Sequence, residues 1–214
     1  MSVHALLPVH RLDRLTSGVL IIARNTSTAR SMQQIFSQRD ITKQYIARVR
    51  GDFRDVMNGA DCIEVDQPIA AAVKHLGHYH IDATRGKRAL TKFQFISYNG
   101  HTSLVQCSPH TGITHQIRVH LQYLQHPIVN DINYGGKLYK SNSHDLPLPL
   151  SDSIVDGCAD CIEPNDYDNA EHSTRHCTYI YLHAHKYTYN QQQYQTKLPK
   201  WASDNFDDLT DEAV

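Results

Sequence analysis

Lys92-Phe93-Gln94-Phe95-Ile96-Ser97-Tyr98-Asn99-Gly100-His101-Thr102-Ser103-Leu104-Val105-Gln106-Cys107 decides the fold class of this chain. Two runs rich in β-branched and aromatic residues flank Asn99-Gly100-His101. Asn-Gly between such runs is a strong hairpin signal, because both central residues of a type I′ turn take positive φ. A hairpin here means an antiparallel sheet, and the segments on either side supply more of it. In Ile41 to Gly51, Tyr45, Ala47 and Val49 alternate with Gln44, Arg48 and Arg50, which predicts a strand with one basic face. Cys62-Ile63-Glu64-Val65 is a short strand candidate, and Cys177 to Tyr187 alternates well enough for a final strand. Only two stretches have helical spacing. Asn25-Thr26-Ser27-Thr28 offers N-cap side chains ahead of Ala29, Met32, Ile35 and Phe36, a helix ending near Arg39-Asp40. Ile113, Ile117, Leu121 and Leu124 mark the second, ended by His126-Pro127, with His115, Arg118 and Gln122 on its other faces. Asp52 to Gly59 is expected as a loop, His75 to Lys87 as irregular and Asp131 to Gly136 as a turn-rich return, while Asn190 to Tyr194 is polar. The expected class is α+β.

The chain has 214 residues and 40% hydrophobic content, enough for one domain with a proper core. No apolar run approaches the roughly 18 residues of a membrane span, and Met1 to Pro8 lacks the basic and apolar regions of a secretory signal. Five scattered cysteines, an odd number, argue against a disulfide scaffold and for an intracellular, reducing compartment. Charge is divided unevenly. Residues 1–141 carry 17 Lys+Arg against 9 Asp+Glu, and residues 142–214 carry 4 against 13. The front of the chain is therefore the candidate polyanion binder. From Asn142 to His176 the composition turns to Ser, Asp, Asn, Pro and Cys, as in an insertion or linker. This gives a division into 1–141 with the core motifs, 142–176 as insertion, 177–201 with the returning strand, and 202–214 as an acidic tail.

Three segments could carry chemistry. The first is Val9-His10-Arg11-Leu12-Asp13-Arg14-Leu15-Thr16-Ser17-Gly18, where one acid lies between two arginines ahead of the apolar run Val19 to Ala23. The second contains Tyr45 and the third Arg118. Taken singly these are ordinary: an Asp in a loop is usually a cap, a strand Tyr is half-core, and a helix Arg is a surface charge.

Together, HRLDRLTSG (10–18), KQYIARVRG (43–51) and TGITHQIRVHLQYLQHPIVND (111–131) resemble, in order and spacing, the three catalytic-domain motifs of the RluA-type RNA pseudouridine synthases. Leu182-His183-Ala184-His185-Lys186-Tyr187 and Lys200-Trp201-Ala202 resemble the longer eukaryotic members. The resemblance implies a mixed, mainly antiparallel central sheet with the cleft across it. It also implies isomerisation of uridine to pseudouridine in RNA, without cofactor or metal. Asp13 matches the essential aspartate, which attacks C1′ or removes a proton at C2′. Arg118 matches the arginine that pairs with it, a fixed cation that would keep a buried carboxylate ionised. Tyr45 matches the tyrosine that packs on the target base and is a candidate to take the C5 proton. Arg11 matches the arginine that fills the gap left by a flipped nucleotide. Arg14, Arg48, Arg50, Lys87 and Arg88 are the expected phosphate contacts, and His115 and Gln116 are further RNA-binding candidates. RNA is the expected partner, with no membrane and no obligate protein partner. Ile113 stands where the family usually has Arg. Only eight residues precede Val9, where the family has a Lys-Pro motif and several strands, so one wall of the cleft is expected to be missing.

Two alternatives accompany this reading. One is an RNA-binding fragment of the same fold with impaired catalysis. The other is a zinc module: Cys158, Cys161, His172 and His176 have near zinc-finger spacing and would form a structural staple in the insertion. A zinc deaminase fits less well still, because it wants H-x-E ahead of its P-C-x-x-C and no such triplet precedes Cys158. His115 and His120, five apart, share no helix face as a ligand pair.

Overall fold

The computed structural model describes residues 6–72, 78–136, 179–204 and 206. In chain order the elements are β1 (Leu7–Pro8), β2 (Ser17–Gly18), β3 (Ile22–Ala23), α1 (Thr26–Gln38), β4 (Thr42–Arg50), α2 (Arg54–Met57), β5 (Ile63–Asp66), β6 (Ile69–Ala71), β7 (Tyr79–Ile81), β8 (Leu90–Tyr98), β9 (Thr102–Pro109), α3 (Gln116–Tyr123), β10 (Leu182–Tyr189) and β11 (Gln192–Gln195). The main sheet runs β11-β10-β4-β9-β8-β5, with every neighbouring pair antiparallel. β2 adds to β10 in parallel, which makes the sheet mixed. Two small ladders, β1–β3 and β6–β7, stand beside it. The class is α+β with a mainly antiparallel sheet, as expected. Among the described residues no helix is long and apolar enough to cross a membrane.

β4 is central, and this determines its burial. Its neighbours β9 and β10 pair it along both edges, and Ile46, Ala47, Arg48 and Val49 are all buried. The predicted in–out alternation therefore fails for Arg48, which is 1% exposed. Its Nε donates to Trp201 O at 2.6 Å, Nη2 to Ser203 O at 2.6 Å and Nη1 to Thr102 Oγ1 at 3.0 Å. With the residue 1% exposed and three of its five N–H donors committed inside the fold, Arg48 is withdrawn from the surface that phosphate could reach, so it is corrected from an RNA contact to a clasp on the turn Lys200–Ala202. That turn places Trp201 against Tyr181, ring centroids 5.2 Å apart, at the edge of a core that includes Phe53, Phe93, Leu121 and Ile128.

The hairpin β8–β9 forms, but its turn differs from the expected one. Positive φ occurs at Gly100 (98°) and not at Asn99. That pattern fits a type II′ turn, with Gly first of the two central residues. Asn99 works through its side chain instead, Oδ1 accepting from the His101 and Thr102 amides. α1 starts as read, with Asn25 Oδ1 accepting from Thr28 N at 2.8 Å, and ends at Arg39 with φ 64°. Two stretches read as loop or irregular carry short regular elements, α2 within 52–59 and β7 within 75–87, and the polar stretch from Asn190 runs into β11 (Gln192–Gln195). Each is three or four residues long, too short for a period to show in sequence. The expected insertion 142–176, with Cys158, Cys161, His172 and His176, lies outside the described residues, as does most of the expected acidic tail.

Candidate active site

The loop carrying Asp13 is braced from both sides. In front, β1 pairs β3, and Ile21 N donates to His10 Nε2 at 3.0 Å, which fixes that ring neutral with its proton on Nδ1. His10 also stacks on Phe36 of α1, centroids 4.7 Å apart. Within the loop, Thr16 N closes a turn onto Asp13 O at 2.9 Å. Behind, Ser17 and Gly18 pair with His183 and Ala184, and Val19 N donates to Ala184 O at 2.8 Å. Gly18 has φ 118°, and a Cβ there would overlap the Ala184 backbone. The loop thus approaches β10 as closely as it does only because this position is glycine.

So braced, Asp13 lines a cavity of about 200 Å³ together with Lys43 and Tyr45 of β4, the loop Pro109–His115, Arg118 of α3 and Tyr187 of β10. Asp13 is half-buried, and its carboxylate has no hydrogen-bond or ion-pair partner among the described residues. Burial raises its pKa above the ordinary carboxylate value, with the nearby charges of Arg118 and Arg11 opposing.

Burial prevails because Arg118 is engaged elsewhere. Its Nε and Nη2 donate to the two carboxylate oxygens of Asp131, each at 2.7 Å. Both residues are buried, at 4% and 1% exposure, and the guanidinium lies 4.5 Å from the Tyr134 ring centroid. The expected direct pair between Arg118 and Asp13 is therefore corrected. Asp13 feels the field of a cation whose charge Asp131 already balances. Burial works against the Arg118 charge, yet the bonded Asp131 outweighs it and raises the Arg118 pKa. The backbone around Asp131 is equally fixed, Gly136 N donating to Asp131 O at 2.7 Å.

Tyr45 shares a 2.8 Å hydrogen bond with the Tyr187 hydroxyl. Burial pushes its phenol up to about 12; the Tyr187 bond opposes this and the Asp13 charge adds to it. At neutral pH Tyr45 is therefore a phenol, an apolar ring face with a spent hydroxyl. Lys43, two residues earlier on the same strand face, donates from Nζ to Thr111 O at 3.0 Å. Burial, aided by the neighbouring Arg39 charge, pushes its pKa down to about 8.

The remaining expected residues divide by position. Arg11 is exposed and lines the cavity, and His115, at φ 56°, lines it while its Nδ1 bonds the Tyr134 hydroxyl at 2.8 Å. Gln116 is buried and saturated. Its Nε2 donates to Leu90 O and Thr91 Oγ1, and its Oε1 accepts from Ile113 N and Thr111 Oγ1, so it ties the cavity loop to β8 and has nothing left for RNA. That corrects its expected role. Ile113 packs against the cluster of Ile69, Ala89, Val119 and Tyr134. Arg14 and Lys87 are exposed, Arg50 donates to Gly135 O at 3.3 Å, and Arg88 makes an exposed pair with Asp66 at 3.0 Å, away from the cavity lining. The sequence reading missed Asp131, Lys43 and Tyr187. Asp131 was visible as the sole acid of its motif, and Lys43 as the same-face neighbour of Tyr45. Tyr187 had no local signal, because its partner is 142 residues away. Among the described residues no group of three or more His, Cys, Asp or Glu could hold a metal ion.

Comparison with known proteins places these residues in a family. The sequence profile described as RNA pseudouridylate synthase matches residues 2–123, more than half of the chain. Mouse pseudouridylate synthase RPUSD2 is 46% identical over 127 residues, covering 59% of this chain and 22% of that protein. The mitochondrial tRNA pseudouridine(32) synthase of Saccharomyces cerevisiae is 38% identical over 153 residues, 67% of this chain and 32% of the relative. RNA pseudouridine synthase 7 of rice is 33% identical over 236 residues, 92% of this chain and 58% of the relative. The chain thus spans from about a fifth to under three-fifths of the length of these curated relatives. The solved structure of human RNA pseudouridylate synthase domain containing 4 superposes with a TM-score of 0.62 at 25% identity, covering 92% of this chain and 73% of that one.

Proposed function

Because the chain belongs to the RNA pseudouridylate synthase family, we propose that it isomerises uridine to pseudouridine in RNA, with Asp13 as the catalytic carboxylate. The observation that carries this reading is the Asp13 side chain itself. It lines a cavity, lacks a partner among the described residues, and has a tyrosine ring and a fixed guanidinium beside it. A carboxylate kept without hydrogen bonds is costly to bury and is retained where it reacts.

In this reaction the uridine is turned out of the RNA stack, its N1–C1′ bond breaks, the uracil rotates, and C5 bonds to C1′; the proton on C5 is lost to solvent and N1 takes one up, so the product is an isomer. Asp13 acts at C1′ as nucleophile or at C2′ as base; its ionised form serves either route. Tyr45 supplies the platform for the extruded uracil, worth about 1–3 kcal/mol of stacking. With its phenol held protonated up to about 12, it serves as ring and not as phenolate base. Arg118, oriented by Asp131, supplies a fixed positive field, and Arg11 on the exposed rim takes the place of the flipped nucleotide. Arg14 and Arg50 reach the RNA backbone. Relatives are named for transfer RNA and for the ribosomal large subunit, so these RNAs are the first substrates to try.

The test is incubation of the full chain with transfer and ribosomal RNA transcripts, followed by mass spectrometry of the nucleosides. Pseudouridine is expected with the parent chain and absent with Asp13→Asn. Equal yield from Asp13→Asn would overturn the assignment. The rate is expected to fall at acid pH, with an inflection above the ordinary carboxylate value, since burial raises the Asp13 pKa.

A further inference from the structure

The reaction above accounts for Asp13, Arg118 and Tyr45 but leaves Lys43 without a task. Lys43 is half-buried and lines the same cavity. Its Nζ has one hydrogen-bond partner, the neutral carbonyl of Thr111 at 3.0 Å, so two of its three donors remain. No described carboxylate pairs with it, whereas Arg118, which lines the same cavity, is balanced by Asp131. A cation drawn in from solvent without a counter-ion is expensive unless an anion arrives to meet it.

Two further features mark where the anion would come from. Arg39, exposed at the end of α1, lies close enough for its charge to oppose that of Lys43. The two like charges are thus neighbours, Lys43 on the cavity wall and Arg39 at the exposed end of α1. Gly112 also lines the cavity. This glycine is not in the positive-φ region, so its conformation does not call for glycine. The one neighbour within 4 Å that a Cβ at 112 would meet is Lys43 Nζ, at 3.8 Å. A side chain there would cover the ammonium; glycine leaves it open.

We propose that Lys43, with Arg39 beside it, is the phosphate anchor for the nucleotide turned into the cavity. The inference rests on the uridine-isomerising reading and adds a subsite to it. A flipped nucleotide brings in a base, a sugar and its flanking phosphates. With the base on Tyr45, the same strand face presents the ammonium two residues away, about 7 Å along the strand. Phosphate binding there would meet the two free donors and supply the missing counter-ion. The low pKa of Lys43, about 8, follows from burial and the neighbouring Arg39 charge, and would rise on binding an anion.

The test separates binding from chemistry. Fluorescence anisotropy with a short labelled oligouridylate is measured across a salt series for the parent chain, Lys43→Gln and Lys43→Arg. Lys43→Gln is expected to weaken binding about 5–10-fold and to flatten the slope of log affinity against log salt by about 0.7, the value for one lost single-strand phosphate contact. Lys43→Arg is expected to stay within about twofold of the parent, because it keeps the charge. In competition, uridine 3′,5′-bisphosphate should displace the oligomer better than uridine from the parent, and this advantage should shrink in Lys43→Gln. An unchanged slope and bisphosphate advantage in Lys43→Gln would overturn the proposal. So would an equal loss in Lys43→Arg, which would assign Lys43 to holding the Thr111 carbonyl. Should Lys43→Gln fail to fold, the exposed Arg39→Gln carries the same slope test. A slope change without pseudouridine formation by the parent would sink the isomerase reading and leave the phosphate anchor standing.

Discussion

Replacing Asp131 with Asn isolates what the buried ion pair contributes. The pair has two charge-assisted bonds of 2.7 Å between residues 4% and 1% exposed. Asparagine keeps one acceptor for the guanidinium but turns an amide N–H₂ toward the other donor, and it leaves the Arg118 charge buried without balance. Breaking a buried pair from one side costs about 3–5 kcal/mol; the retained acceptor puts this variant near about 3 kcal/mol. In a chain of this size that lowers the melting temperature by about 6–12 °C. The released field also acts on Asp13. With Arg118 uncompensated, the Asp13 pKa falls, and the acid limb of the pH–rate profile moves to lower pH. Thermal melts by circular dichroism measure the first effect, and pseudouridine yield across pH, well below the melt, measures the second. Replacing the pair jointly by Met and Leu should cost less stability than Asp131→Asn alone, because no unbalanced charge remains, and should still abolish activity. A melt for Asp131→Asn within about 2 °C of the parent, with an unmoved acid limb, would refute the view that Asp131 balances and orients Arg118.

Asp13→Asn should melt above the parent at neutral pH. The folded pKa of Asp13 lies above its unfolded value, so the parent loses stability as pH rises through that interval and carries the full penalty above it. The gap should close as pH falls toward the unfolded carboxylate value, and a gap that is constant with pH would contradict the assignment. Arg48→Met should cost about 2–3 kcal/mol by leaving the buried Trp201 carbonyl and Thr102 hydroxyl without their partner. The sole tryptophan, Trp201, reports this as a red-shifted emission. RNA salt dependence should stay that of the parent, whereas a phosphate-contacting Arg48 would show a shallower slope.

Local pattern carried much of the fold. The β8–β9 hairpin and the cap of α1 are encoded within a few residues, and the sequence showed both. What depends on distant neighbours did not show. Arg48 alternates with the polar residues of its strand, yet the turn Lys200–Ala202 covers that face of β4, and spacing holds no trace of the cover. The same holds at the site. Asp13, Tyr45 and Arg118 could be named from their motifs. That Arg118 bonds Asp131 and not Asp13 is a choice between two acids, made by packing of α3 against the segment after it. Gln116 shows the limit from the other side: a polar residue in a motif, expected on RNA, whose four hydrogen bonds are all internal.

The strand that braces the Asp13 loop from behind enters the chain very late, and the Ser17–His183 contact joins residues 166 apart in sequence. During synthesis every motif residue therefore emerges long before the loop has its rear support. The span matched by the family profile ends at Tyr123, before both Asp131 and β10. A nascent chain at that point holds Asp13, Tyr45 and Arg118 but neither the counter-ion of the arginine nor the strand under Gly18. The complete cavity thus comes with closure of the fold and not with the appearance of the motifs.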